Sequence, residues 1–333
     1  MRKMAITTLP PLQDGQLSFL DSLAKEFEEA FAELAESAEK ELSGKPFIFS
    51  SYGRELYPYF ETTDASLVPG CIVPIKEGRP VASVDSTCVL VGETSQGALY
   101  AARTAVGISY EGALKRFFRL GPILVYATSA GLSGLVPHMP SSELDLLLSD
   151  HAVAERFIRN TVERRVIEAL SSGDGSMIVM ADGSLKHPMG QFGSSMSRRG
   201  SGGRTMVGFS KSSNLILSED AMASLSKSPV PSYHVLSRGA CTTVLAKFTP
   251  DGLVFRLDVS SPEQAETVLG RIAWNDAFAS GYPDSLKVAH HLSIFSKADD
   301  QALKAFVSKR FGVRRLQTFP LRKIALGSFR GGA

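Results

Sequence analysis

Ser176-Met-Ile-Val-Met-Ala-Asp-Gly-Ser-Leu185 is a short apolar run that ends on an acid and then a turn. Met177 to Ala181 is too short for a helix and rich in branched residues, which predicts a strand buried inside a sheet. Asp182 stands where that strand runs out, and Gly183-Ser184 supplies the sharp turn that exposes its carboxylate. An acid at the carboxyl end of a central strand lies over the crevice where open α/β sheets bind ligands. Upstream, Pro80-Val-Ala-Ser-Val-Asp-Ser-Thr87 has the same grammar, with Asp85 closing an apolar run before two hydroxyl residues. Two strand-end acids predict one divalent-metal site. Singly, an Asp before Gly or Ser is also an ordinary turn residue.

The elements around these strands suggest the fold. Val81–Asp85, Cys88–Glu93 and Ala98–Ser109 are expected as three strands of an antiparallel meander, with turns at Ser86-Thr87 and Ser95-Gln-Gly97. Leu114 to Val136 is apolar and fits two further extended pieces. Glu143 to Leu170 carries one long amphipathic pattern, opened by Ser141-Ser-Glu143 and closed by Ser171-Ser-Gly-Asp-Gly175. Met206–Lys211 is a strand, Ser218–Ser226 a helix, and Thr243–Phe248 and Leu253–Val259 a hairpin across Thr249-Pro-Asp-Gly252. Helices follow from Ser261 to Ala277, after Gly281-Tyr-Pro283, and from Asp299 to Phe311. A meander, a helix and an acid-bearing strand in that order predict an α/β fold with an RNase H-like core, a mixed central sheet flanked by helices. Gln16 to Leu42 adds an N-terminal amphipathic helix, with Leu17, Leu20, Leu23, Phe27, Phe31 and Leu34 at helical spacing. The expected division is a helix and irregular lead-in over 1–79, then an RNase H-like domain over 80–333.

The chain has 333 residues, 44% of them hydrophobic and 21% charged, which fits a folded protein with a substantial core. Three cysteines without CxxC spacing argue against a zinc ribbon or disulfide frame and for a reducing compartment. No signal-peptide core opens the chain and no apolar run is long enough to span a bilayer, so the expected location is cytoplasmic, with no membrane partner. The net charge of +2 hides a marked asymmetry. Residues 301–333 hold eight Lys or Arg and no acid, and Lys186 to Arg204 is a basic Gly/Ser-rich loop, while Glu26 to Glu39 is acidic. That distribution suits a polyanion on one face; ordinary solvated surfaces would look similar.

Hard divalent cations take oxygen ligands, and two carboxylates on adjacent strands can bridge ions about 3.5–4 Å apart. Asp85 and Asp182 are such a pair. A third acid is expected from the helix between them; Asp150, Glu155, Glu163 and Glu168 are the candidates, and Glu163 is the choice. Of His290 and His291, consecutive on a helix, at most one faces the site. Lys211 at a strand end could neutralise a phosphate. Arg256 and Asp258 share a strand face and could simply pair with each other. There is no GxxxxGK[ST] loop and no GxGxxG turn, and His138 and Cys241 have no zinc partners nearby.

The motif order resembles that of the NurA family of nucleases. The matching residues are Val84-Asp85-Ser86, Asp182-Gly-Ser-Leu185, Val207-Gly-Phe-Ser-Lys211, Phe255-Arg-Leu-Asp258 and Gly281-Tyr-Pro-Asp-Ser-Leu-Lys-Val-Ala-His290, across roughly Val81 to Phe295. Ser86-Thr87 stands where members often carry Gly-Ser. The resemblance implies manganese-dependent DNA cleavage with 5′-to-3′ polarity on single- and double-stranded ends, with single-strand endonuclease activity. It also implies a homodimer docked on a HerA-type hexameric ATPase in recombinational end resection. Two Mn²⁺ ions, or Mg²⁺, would be held by Asp85, Glu163, Asp182 and His290, with Tyr282 and Lys211 beside them. Lys186, Arg198, Arg199, Arg204 and Arg256 would then contact DNA, giving salt-dependent binding. The rival expectations are a non-catalytic DNA-end adaptor of a translocase and another RNase H-like nuclease.

Overall fold

A computed structural model describes residues 69–129, 131–132, 141–171, 177–185, 204–210, 227–239 and 241–315, with short pieces at 40, 43, 46–49, 61–63 and 215–217. The expected helices over Gln16–Leu42 and Ser218–Ser226, the basic tail beyond 315, and Lys186, Arg198, Arg199 and Lys211 lie outside the described residues.

The first strands are β1 (Pro46–Phe49), β2 (Glu61–Thr63) and β3 (Pro69–Cys71), followed by three long ones, β4 (Val81–Glu93), β5 (Ala98–Tyr110) and β6 (Ala113–Ala127). Helices α1 (Ser141–Ser149) and α2 (His151–Ser171) lead to β7 (Ile178–Asp182), β8 (Thr205–Ser210), β9 (Leu215–Leu217), β10 (Ser232–Ser237), β11 (Thr242–Lys247) and β12 (Phe255–Ser260). Helix α3 (Ala265–Asn275), the short strands β13 (Phe278–Ala279) and β14 (Tyr282–Pro283), helices α4 (Asp284–Ser293) and α5 (Lys297–Phe311), and β15 (Arg314–Arg315) complete the order.

Among the described residues eleven of these strands form one mixed sheet. Its path runs β15-β1-β4-β7-β8-β12-β11-β10-β3, and β5 and β6 extend it from the other edge of β4. β7 lies parallel to both β4 and β8, and the remaining long pairings are antiparallel. β5 is buried from Ala98 to Ser109 without alternation, because helices cover both faces. On one face α2 packs over Ala82, Val84, Val106, Val179 and Ala181. On the other, α3 and α4 bury Val81, Ile178, Met180, Val207 and Leu257, while α5 closes the far end of β4 and β5 around Val91, Leu99 and Phe311.

Three expectations are corrected. Ser86-Thr87 is no turn: residues 81–93 form one strand, and the Ser86 hydroxyl bonds Thr104 Oγ1 across the ladder at 2.9 Å. Hydroxyls that signal a turn in isolation are satisfied here by a neighbouring strand. Much of the apolar stretch after Leu114 is one long strand, β6, paired to β5 through a Glu111-Gly112 hairpin turn with positive φ at both residues, 51° and 69°. The long helix from Glu143 to Leu170 is two helices, because the Asp150 carboxylate accepts from Ala152 N at 2.9 Å and Val153 N at 3.2 Å and so caps a new start. The hairpin at 242–260 and the helix from 297 form where the turn and cap residues place them, the latter through a Ser296–Asp299 capping box.

The two edges of β4 are used unequally. One pairs with β5 along its length. The other pairs with β7 only from Val81 to Val84 and with β1 only at Gly92 and Glu93. Between those contacts, beginning at Asp85, no described strand pairs with this edge.

Candidate metal centre

Register brings Asp85, inside β4, and Asp182, at the end of β7, together. Val84 is the last residue of β4 opposite β7, where it faces Ala181, so Asp85 and Asp182 leave the paired region side by side. Alternation turns both toward the face covered by α4, while Val84 and Ala181 point under α2. α4 then docks along the same row of β4. Ser285 meets Ser83, His290 Nδ1 lies 2.7 Å from Asp85 Oδ2, and Ser293 Oγ donates to that oxygen at 3.1 Å while standing 3.2 Å from Thr87 Oγ1. Residues two apart on the strand thus meet successive turns of one helix face.

Close docking needs a gap in β5. A Cβ on Gly107 would stand 2.5 Å from the Ser285 carbonyl oxygen, so only glycine lets α4 approach.

Asp182 is fixed from two sides. Tyr282, at the short strand before α4, donates its hydroxyl to Asp182 Oδ1 at 3.2 Å. Its ring is 7% exposed and packs edge-on to Phe209, with centroids 5.1 Å apart. Burial and then the Asp182 charge push the phenol well above its ordinary range, which keeps it a donor. On the other side the turn after Asp182 is held by Asp258. That carboxylate, 0% exposed, accepts from Ser184 Oγ, from Leu185 N at 3.1 Å and from Thr243 Oγ1 at 2.9 Å. Gly183 adopts φ 111°, and Gly208 leaves room for its carbonyl, which a Cβ there would meet at 2.6 Å.

One ligand atom each from Asp85, Asp182 and His290 lie within 4.8 Å of one another. His290 Nδ1 is 3.9 Å from Asp182 Oδ2. Two carboxylate oxygens and an imidazole nitrogen are a donor set suited to a divalent cation such as Mn²⁺ or Mg²⁺, and the residues present fit one.

The three candidate glutamates of α2 have different surroundings. Glu168 lies on the surface, 3.6 Å from Arg164. Glu155 accepts from Leu90 N of β4 at 2.8 Å. Glu163 is 7% exposed behind the acid pair, bonded to the Ser86 side chain. Burial raises its pKa to about 8; Arg159 opposes the rise, and Asp85 and Asp182 add to it. It stands close enough to feel both carboxylates but outside the three-residue cluster.

Two other site candidates are placed by their strands. Arg204 precedes β8 beside Ile178, at the end of the sheet opposite Asp182. Arg256 is at the acid end, but its side chain is 11% exposed and its guanidinium lies 3.4 Å from Asp258. Asp258 itself was visible in the sequence only as a possible partner for Arg256. Its hold on the turn depends on the register of β12 against β8, where it faces Gly208, and no local pattern encodes that.

No family model matches the sequence, and no curated protein does. Among solved structures, the NurA nuclease from Sulfolobus solfataricus aligns over 92% of this chain and 98% of its own, at 13% identity and a TM-score of 0.44. Endonuclease V from Bacillus subtilis aligns over 72% and 87%, at 11% identity and 0.35. The catalytic domain of human endonuclease V aligns over 72% and 86%, at 12% identity and 0.35. At these values the likeness assigns no activity and no residue role.

Proposed function

We propose that the chain is a metal-dependent deoxyribonuclease that hydrolyses phosphodiester bonds at the Asp85–Asp182–His290 centre. One observation carries this reading: residues from three distant segments converge so that three ligand atoms lie within 4.8 Å of each other on one face of the sheet. The strand order β6-β5-β4-β7-β8, a meander followed by two strands parallel to its first member, supports an RNase H-like core. The finer expectations rest on the resemblance of the motifs to those of the NurA family. They are manganese as the preferred ion, 5′-to-3′ degradation of DNA ends in recombinational repair, a homodimer, a HerA-type ATPase partner, and a cytoplasmic location. No helix among the described residues is long and apolar enough to cross a membrane.

A divalent cation, when bound, supplies Lewis-acid polarisation of a phosphate oxygen. The protein's part is preorganisation. His290 and Ser293 fix Asp85, and Tyr282 and the Asp258-held turn fix Asp182, so both carboxylates are held in position for a cation. Burial holds Glu163 neutral near pH 7, so it can keep a proton beside Asp85 that an approaching cation would displace.

The test is degradation of end-labelled DNA by purified protein with Mn²⁺, against an EDTA control. Asp85→Asn should lower the rate by more than the roughly 10- to 100-fold that loss of an outer-shell partner costs, while folding and DNA binding persist. Near-normal turnover by that variant would sink the metal reading. RNA and hybrid substrates in the same assay separate a deoxyribonuclease from other RNase H-like enzymes, and binding without cleavage would point to an adaptor.

A further inference from the structure

The outer strand of the sheet is built unlike the rest. β6 pairs only with β5 among the described strands, and no described strand lies along its other edge. From Ala113 to Leu124 it is exposed or half-buried throughout. The segment Lys115-Arg116-Phe117-Phe118-Arg119 puts three cations and no acid on that strand, and none of the three cations has an ion-pair or hydrogen-bond partner among the described residues. Phe118 and Leu120 turn under α2 and pack on the core. Phe117 turns the other way and is 59% exposed.

Register locates this patch relative to the centre. Asp85 faces Ala105, and Ala105 faces Arg119, so Arg119 lies on the same row of the sheet and the same face as the metal ligands. Two strand spacings of about 4.8 Å separate the backbones of Arg119 and Asp85. Phe117 faces Gly107, over which the first turn of α4 sits. The patch therefore flanks the side of α4 away from the acids. Lys115 is the extra residue of a β-bulge, where the register shifts between Ile108 and Ser109.

We propose that β6 is a docking surface for single-stranded DNA, with Phe117 stacked on a base and Lys115 and Arg119 neutralising phosphates on either side. The inference rests on the nuclease reading and extends it to the path of the substrate. An aromatic ring between unpaired cations, spaced two residues apart along an extended strand, matches the stacking platform and charged track that hold single strands. Edge cations also keep sheets from pairing with each other, but an exposed phenylalanine between them works against that purpose. Pairing of two copies along this edge would bring like charges opposite one another. The charge selects a polyanion.

The test uses the full-length protein in EDTA with fluorescein-labelled oligo-dT and a duplex of equal length, followed by anisotropy across a salt series. Lys115→Gln combined with Arg119→Gln should reduce the slope of log affinity against log salt for the single strand by about 1.4, or 0.7 for each lost phosphate contact. Phe117→Ala should weaken single-strand binding by about 5- to 150-fold without changing that slope, and should leave duplex binding alone. Circular dichroism confirms that the variants are folded. Variants that bind as the wild type overturn the proposal. So does a change confined to molar mass by light scattering, which would assign the edge to a second copy. Mn²⁺-dependent cleavage by the wild type is read separately: if it is absent while the binding effects hold, the nuclease reading fails and the docking surface stands.

Discussion

Asp276 is 3% exposed behind α4 and is bonded by Ser285 N and Oγ and by Ala277 N. Its partners are neutral, so burial outweighs them and raises its pKa from 3.8 to about 6. Because the folded state holds this proton more tightly than the unfolded chain, the stability Asp276 contributes is fully present below about pH 4. It falls as pH rises toward 6 and is level above that. At 1.36 kcal/mol per unit the loss is at most about 3 kcal/mol. Asp276→Asn, which mimics the protonated form, should remove that fall, as measured by urea unfolding at pH 4 and pH 7; an unchanged pH slope would refute it. At this scale Asp182 was legible as an acid closing a strand before a turn and Asp85 as an acid closing an apolar run, whereas Tyr282 and the choice of His290 over His291 came only from the resemblance of the motifs. The roles of Asp258 and Glu155 were not legible. Each bonds backbone amides of a segment more than sixty residues away, and only tertiary register defines them.

At the scale of elements, the centre depends on how closely α4 lies on β5. Gly107→Ala should force the helix outward at Ser285, cost about 1–3 kcal/mol of stability and weaken Mn²⁺ binding by displacing His290. Thermal melts and calorimetric titration would check this, and wild-type Mn²⁺ affinity in the variant would contradict it. Element types followed from periodicity and caps; element limits did not. β4 continues through Ser86 and Thr87 because β5 supplies partners for their hydroxyls and backbone, and the break at Asp150 was hidden by an apolar pattern that runs on across it. Both failures have one origin, since the deciding groups are satisfied by something other than their sequence neighbours.

For the whole molecule, a cation held by β4, β7 and α4 ties together segments that meet only in the folded state. Binding to the native form alone stabilises it by about 2.7 kcal/mol at a hundredfold excess over Kd. Mn²⁺ should therefore raise Tm by several degrees in the wild type and by nothing in Asp85→Ala or Asp182→Ala. An equal rise in those variants would place the ion elsewhere.

The divided edge of β4 has a consequence for how the protein opens. Among the described residues β7 and β1 pair with opposite ends of the same edge and not with each other, so β4 is a shared spine for two flanks. A local opening that freed only β1 and β15 would leave the rungs between β4 and β7 intact. Asp85 falls on the β7 side of that border, one residue past the last rung to β7. Such an opening would leave the carboxylate pair in place, and the amides of Ser86 and Leu90, met by the Asp85 and Glu155 side chains, would keep those partners.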